Sequence, residues 1–251
     1  DSVAAERNQD WPNYFFRTAV GNNHNVQIRK GGSNTASYLS IGYLNQEGIL
    51  LNSSLQRANL RANVTGRSDN QKFNYSANLS LNYSTTNEDN QIGGSGINRN
   101  PVLAAYQSVP WVTADDYEDG ASLLSPLSFA NTPLFIIDRL NTYTYREDEL
   151  RLISTLSADY EIIDGLSIGI RASGDYIGES LTRAEGPESF NALLFRPGGG
   201  ANQTPGFQQQ RFRRDFLFTE VSNLSYENTF GKHSISAGVY TEYFRAFRDD
   251  L

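Results

Sequence analysis

His24 and His233 are the chain's two histidines, and it has no cysteine. Disulfides, thiolate metal sites and cysteine nucleophiles are therefore excluded. The two histidines lie far apart in sequence and without zinc-ligand spacing, so they read as ordinary polar side chains, and no metal or cofactor is expected. Asp115 and Asp116, with Glu118 and Asp119 close behind, form an acidic group. Paired carboxylates of this kind hold Ca²⁺ or a sugar, or simply face water as a solvated loop. Tyr106, Trp111 and Tyr117 lie beside them, and aromatic rings next to carboxylates can stack on and hydrogen-bond a sugar or a peptide. The same rings equally pack loop against loop or against a partner. Gly198-Gly199-Gly200 precedes no helix pattern and no Lys-Ser/Thr pair, so a loop is expected there rather than a phosphate cradle. With no nucleophile, base and metal constellation, the chain is not expected to be an enzyme.

The net charge of −7 over 251 residues and the absence of a basic stripe exclude a nucleic-acid footprint. Hydrophobic residues make up 38 % of the chain and mean hydropathy is −0.50, with no run of eighteen apolar residues. A membrane role would have to use strands, whose signal is weak per segment. The 14 Tyr, 14 Phe and 21 Gly suit a tightly turning, girdled β protein. The chain contains no Met and opens on Asp1, so it is expected to be mature, processed or a fragment.

The elements that must position these residues show most clearly in residues 73–84. Phe73, Tyr75, Ala77, Leu79, Leu81 and Tyr83 alternate with Asn74, Ser76, Asn78, Ser80, Asn82 and Ser84. That is period two, the pattern of a strand with one apolar face. The aromatics flank the aliphatics. Ten residues at roughly 3.3 Å each span about 33 Å, or about 25 Å along the normal for a strand tilted by about 40°. This matches a lipid-facing band with an aromatic girdle at each interface; a sandwich strand with one solvated face is the soluble alternative.

The plan recurs. Residues 56–66 place Ala58, Leu60, Ala62 and Val64 outward and Arg57, Asn59, Arg61 and Asn63 inward, and residues 166–175 place Ile168 and Ile170 opposite Arg171. Arg57, Asn59, Arg61, Asn74, Asn78, Asn82 and Arg171 are thus expected to face a lumen. Charges on one face alone fit a strand whose other face meets lipid, where a midplane Arg costs roughly 2–4 kcal/mol. About eight strands are expected, all-β and antiparallel, in a transmembrane barrel. Residues 212–228 are strand-like but of uncertain phase, because Phe216, Leu217 and Phe218 are consecutive and Glu220 shares the face of Phe216 and Phe218; a bulge would reset them. The pattern stops at about 87–143 and 183–210. Short links at 67–71, 163–165 and 230–232 alternate with these long ones, the asymmetry of periplasmic turns and extracellular loops.

Residues 43–49, Tyr43-Leu44-Asn45-Gln46-Glu47-Gly48-Ile49, preceded by a Gly31-Gly32 turn, resemble the SusC/RagA-type TonB-dependent transporters of the Bacteroidota outer membrane. Trp11 to Thr18, Tyr160-Glu161-Ile162-Ile163-Asp164-Gly165-Leu166, and Leu224-Ser225-Tyr226 with Thr229-Phe230-Gly231-Lys232-His233 agree in order. The resemblance covers most of the chain. It implies a plug inside a 22-stranded barrel, TonB as energy partner and a SusD-like surface lipoprotein as lid. Residues 1–23 are then expected to be the plug-to-barrel junction and 24–251 a partial barrel, the N-terminal third, in the outer membrane's lipid bilayer. The function implied is nutrient import, of glycan or peptide oligomers. A complete small barrel with a structural or adhesive role, and a secreted glycan-binding sandwich, are the alternatives.

Overall fold

The computed structural model describes residues 7–88, 99–125, 127–195 and 205–251. Eight strands follow one another: β1 Gly21–Gly31, β2 Thr35–Glu47, β3 Ser54–Arg67, β4 Phe73–Asn87, β5 Tyr143–Ile163, β6 Leu166–Glu185, β7 Phe207–Phe230 and β8 His233–Asp250. Each pairs antiparallel with its sequence neighbours, so spatial order equals chain order and β1 and β8 are the open edges. The expected all-β architecture, an antiparallel barrel segment of eight strands, is the one observed.

Local chemistry sets the short links. Gly165 closes the β5–β6 turn at φ +82°, and a Cβ there would collide with the Glu227 carbonyl oxygen of the neighbouring strand. Gly231 does the same service between β7 and β8 at φ +61°. Both angles lie where a side chain is strained and glycine is not.

The register turns eight separate alternations into two continuous surfaces. Val26, Ile41, Leu60, Leu81, Leu152, Tyr176, Phe216 and Phe247 stand directly opposite one another from edge to edge. The next row along the strands is Asn25, Gly42, Asn59, Asn82, Arg151, Ile177, Asp215 and Arg248. Side chains of adjacent rows point to opposite faces, so one face is apolar and the other polar. No second layer covers the apolar face among the described residues: Val26 is 68 % exposed and Leu156 60 %. A sandwich would bury this face against another sheet.

β7 departs from expectation. The register stays in phase throughout β6–β7 and β7–β8, and the one recorded shift lies at Glu161/Ile163. No bulge resets β7. Phe216, Phe218 and Glu220 therefore share the apolar face, where Ser222 Oγ donates to Glu220 Oε1. Leu217 and Val221 stand on the polar face opposite Asp175 and Arg171.

The buried core lies beside the sheet, in segments with no alternating pattern. α1 (Trp11–Phe15), α2 (Pro101–Gln107), α3 (Thr132–Thr142) and α4 (Phe190–Phe195) gather around Trp11, Phe15, Ala104, Leu134, Ile136 and Phe190. The stretches around 87–143 and 183–210 are thus partly helical where described; Gly198-Gly199-Gly200 falls outside the described residues. Asp10 caps α1 by accepting from Asn13 N at 3.1 Å, and Asn100 caps α2 by accepting from Val102 N at 3.0 Å. Pro12 and Pro101 sit in the first turns, where a missing N–H costs nothing. α3 is buried almost all round through its first two turns, which explains why it carries no clean helical stripe. Among the described residues no helix is long and apolar enough to cross a membrane.

Candidate functional site

The polar face is assembled by register. Arg57 stands opposite Ser84, Asn59 opposite Asn82, Arg61 opposite Ser80, and Asn78 opposite Asn63. Asn74 lies between Arg67 and Asp159, and Arg171 between Ser157 and Val221. All seven residues singled out in the sequence share this face. Asn and Ser offer both donors and acceptors without charge, and cross-strand pairs such as Ser76 Oγ to Ser157 Oγ at 2.7 Å satisfy them locally.

Charge on this face was only partly legible in the sequence. Arg151 grips Asp175 with two hydrogen bonds, Nη2 to Oδ2 at 2.8 Å and Nε to Oδ1 at 3.2 Å. Arg248 Nε donates to Asp215 Oδ1 at 2.8 Å, and Arg213 joins Asp215 to Glu179, the latter at 3.5 Å. Bidentate pairing of this kind fixes the planar guanidinium in one orientation. Apart from Arg213 and Asp215, which are neighbours on β7, the partners come from strands adjacent in space but 24 to 34 residues apart in sequence, a distance no local pattern reveals.

The helical core organises the five loop residues differently from one another. Tyr106 is 72 % exposed, with its ring 6.0 Å from that of Phe16, and Trp111 is 50 % exposed. Asp115 is also exposed. Asp116 is committed to its own loop: Oδ2 accepts from Thr113 N at 2.8 Å and Oδ1 from Arg7 Nη1 at 2.9 Å. The Thr113 amide and the Arg7 guanidinium together hold its carboxyl below the ordinary value of 3.8. Tyr117 donates its hydroxyl to Asp138 Oδ1 at 3.0 Å. Burial, reinforced by that carboxylate, pushes the Tyr117 phenol up to about 12.

Asp138 escaped the sequence reading. It lies on α3, 2 % exposed, and its Oδ2 accepts the Phe190 N–H at 2.8 Å. Burial raises its carboxyl above the ordinary 3.8, with Glu185 and Glu188 adding to the rise. A single Asp inside Phe-Ile-Ile-Asp-Arg-Leu was the available signal, since an isolated acid in an apolar run needs a partner. His24 and His233 sit on opposite edge strands, β1 and β8. No group of three His, Asp or Glu suited to a metal occurs among the described residues.

Comparison with known proteins gives this wall a context. A TonB-dependent receptor of Formosa agariphila is 23 % identical over 245 residues, covering 93 % of this chain and 22 % of the receptor. The TonB-dependent receptor SusC of Bacteroides thetaiotaomicron is 24 % identical over 213 residues, covering 78 % of this chain and 21 % of SusC. The chain thus spans about a fifth of the length of these curated relatives. No family profile matches. Among solved structures, the RagAB peptide importer in its open-open state superposes with a TM-score of 0.71 at 18 % identity, over 97 % of this chain and 26 % of that one. Its closed-closed state gives 0.66 at 21 % identity, over 97 % and 27 %.

An open antiparallel sheet with one apolar and one polar face has the fold of a stretch of barrel wall, and its sequence is similar to TonB-dependent receptors. In sequence the chain is similar to SusC and in fold to the RagAB importer, in agreement with the resemblance of its Gly31-Gly32 turn and 43–49 segment to the SusC/RagA type.

Proposed function

We propose that this chain forms part of the wall of an outer-membrane importer of nutrient oligomers, glycan or peptide, energised by TonB and working with a SusD-like surface lipoprotein. The observation that supports it most is the continuity of the two faces. An apolar row crosses all eight strands beside a row of Asn, Arg and Asp interrupted only by Gly42 and Ile177. One face then meets lipid and the other a wet lumen, in which the seven polar residues singled out in the sequence contact solute or plug. The matched relatives are receptors and importers by description, which favours a transport role without chemistry.

In this reading residues 24–251 supply the wall, and the segments at 87–143 and 183–210 lie outside the cell. The short turns at Gly165 and Gly231 then face the periplasm. β1 enters the sheet with Gly21 opposite Gln46, at the end where the long segments emerge. α1 packs on α2 there. Residues 7–20 accordingly belong in this proposal with the outer rim, and for them an extracellular segment takes the place of the plug-to-barrel junction expected at 1–23. Tyr106, Trp111 and Asp115 are the rim residues offered to a ligand or lid, while Asp116 and Tyr117 hold the rim together.

The test is uptake. Deleting the gene from its own organism should abolish TonB-dependent growth on the oligomer that induces it. Topology is checked by single cysteines labelled on intact cells with an impermeant maleimide. Phe129→Cys should react, and Lys232→Cys only after permeabilisation. The reverse pattern would overturn the orientation.

A further inference from the structure

The polar face is electrically divided. On β1 to β4 it carries Arg29, Arg57, Arg61 and Arg67 and no carboxylate. On β5 it carries Glu147 and Glu149 at the same end of the sheet as Arg57, followed by Arg151, whose guanidinium is committed to Asp175. Between them β4 presents only Asn, Ser and Thr. Arg57 and Arg61 are exposed and make no ion pair among the described residues, although Arg151, Arg213 and Arg248 farther along the face all do. Glu149 stands directly opposite Glu179, whose own arginine lies on its far side, at 3.5 Å. Like charges facing across a strand pair are destabilising unless a cation comes between them.

We propose that this face holds the two charged ends of a short zwitterionic oligomer, its anionic end at Arg57 and Arg61 and its cationic end at Glu149, with β4 beneath its middle. Arg57, Ser84 and Glu149 lie in one row. Two strand spacings separate the outer members, roughly 9.5 Å. Three extended residues of a peptide span about 10 Å, so the α-carboxylate and α-ammonium of a short peptide with free termini match the row. Ser80, Asn82 and Ser84 supply donors and acceptors for the peptide groups between. A neutral glycan would leave both charge columns uncompensated, and an acidic glycan would meet repulsion from Glu149. The ligand class is therefore an oligopeptide recognised by its termini. This rests on the polar face being the lumen of an importer and selects one of the two oligomer classes left open above.

The experiment is calorimetric titration of the whole transporter, purified with its partners from the outer membrane. The probes are an unmodified tripeptide mixture, the same peptides N-acetylated and C-amidated, and a neutral oligosaccharide. Free peptides should bind, with affinity falling as salt rises, and blocked peptides should bind about tenfold or more weakly. The double variant Arg57→Gln, Arg61→Gln should weaken free peptides by a similar factor while leaving blocked peptides unchanged; Glu149→Gln should do the same for peptides blocked only at the carboxyl end. Heat-modifiable mobility in gels reports whether each variant has folded, and a barrel misfolded by the double variant leaves the single Arg61→Gln change to decide. Equal affinity for free and blocked peptides, or an unchanged affinity in folded arginine variants, would overturn the proposal. If either occurs while gene deletion still abolishes uptake, import stands and only the ligand class falls.

Discussion

The Phe190 backbone N–H donates to Asp138 Oδ2 at 2.8 Å, joining the segment after β6 to the helix that precedes β5 across 52 residues of chain. The same carboxyl accepts the Tyr117 hydroxyl through its other oxygen. One buried acid thus ties together three parts of the two long connections.

Asp138→Ala leaves a buried amide and a hydroxyl without an acceptor, at about 1–3 kcal/mol for each group left unsatisfied. The loss is expected to be local. Hydrogen exchange at Phe190 and Leu193 should accelerate, and proteolysis near 113–119 should increase, while the strands keep their protection. Protection at Phe190 equal to that of the unsubstituted protein would show that the bond contributes nothing.

The sign of the pH dependence follows from the raised Asp138 carboxyl. A folded-state value above the unfolded one means that the folded cap binds the proton more tightly. The stabilisation is full below 3.8 and is lost as pH rises through the folded value. Asp116, held low by Thr113 and Arg7, acts in the opposite sense and in a lower window: its contribution is present above 3.8 and disappears as pH falls below it. Proteolysis of the 113–119 segment should therefore become faster as pH rises from 3.8 through the folded Asp138 value. Asp138→Asn, which keeps an acceptor for Phe190 N–H, should flatten that trend.

Gly165→Ala tests the turn. At φ +82° the added methyl is strained and meets the Glu227 carbonyl oxygen, so a cost on the order of 1–3 kcal/mol is expected. It should appear as a lower denaturant midpoint for barrel unfolding. Gly31→Ala, with open space around its Cβ position, should cost less.

Neighbouring residues on β4 should respond oppositely to charge. Leu81→Arg puts a cation in the middle of the apolar row, at roughly 2–4 kcal/mol if that row meets the bilayer centre. Asn82→Arg puts it on the polar face and should fold into liposomes with near-normal yield. Equal yields would contradict the assignment of faces.

The strands were legible because each is a long two-residue alternation, and a face signal in β4 repeats in β3, β5 and β6. β7 shows the limit of that legibility. Consecutive Phe216, Leu217 and Phe218 fit either phase, and pairing with β6 decided the matter by matching Leu217 to Asp175. The helical core was hidden for the opposite reason. α3 is apolar on nearly every side in its first turns, so no periodic stripe marks it, and the helical core joins segments about a hundred residues apart in sequence, as Trp11 Nε1 of α1 donating to Val109 O illustrates. Tyr117 and Asp116 looked like ligand groups because exposed and buried acids are indistinguishable in a sequence. Arg7 and Asp138 had to be placed before their roles separated.

The most direct test of the central claim is nitroxide scanning of the barrel in outer-membrane vesicles, using single cysteines at Leu79, Ser80, Leu81 and Asn82. Accessibility to oxygen, which concentrates in lipid, should be high at 79 and 81 and low at 80 and 82, with a polar relaxation agent showing the complementary order. Uniform aqueous accessibility at all four, or oxygen maxima at 80 and 82, would contradict a wall with lipid on its apolar face and a solute path on its polar one.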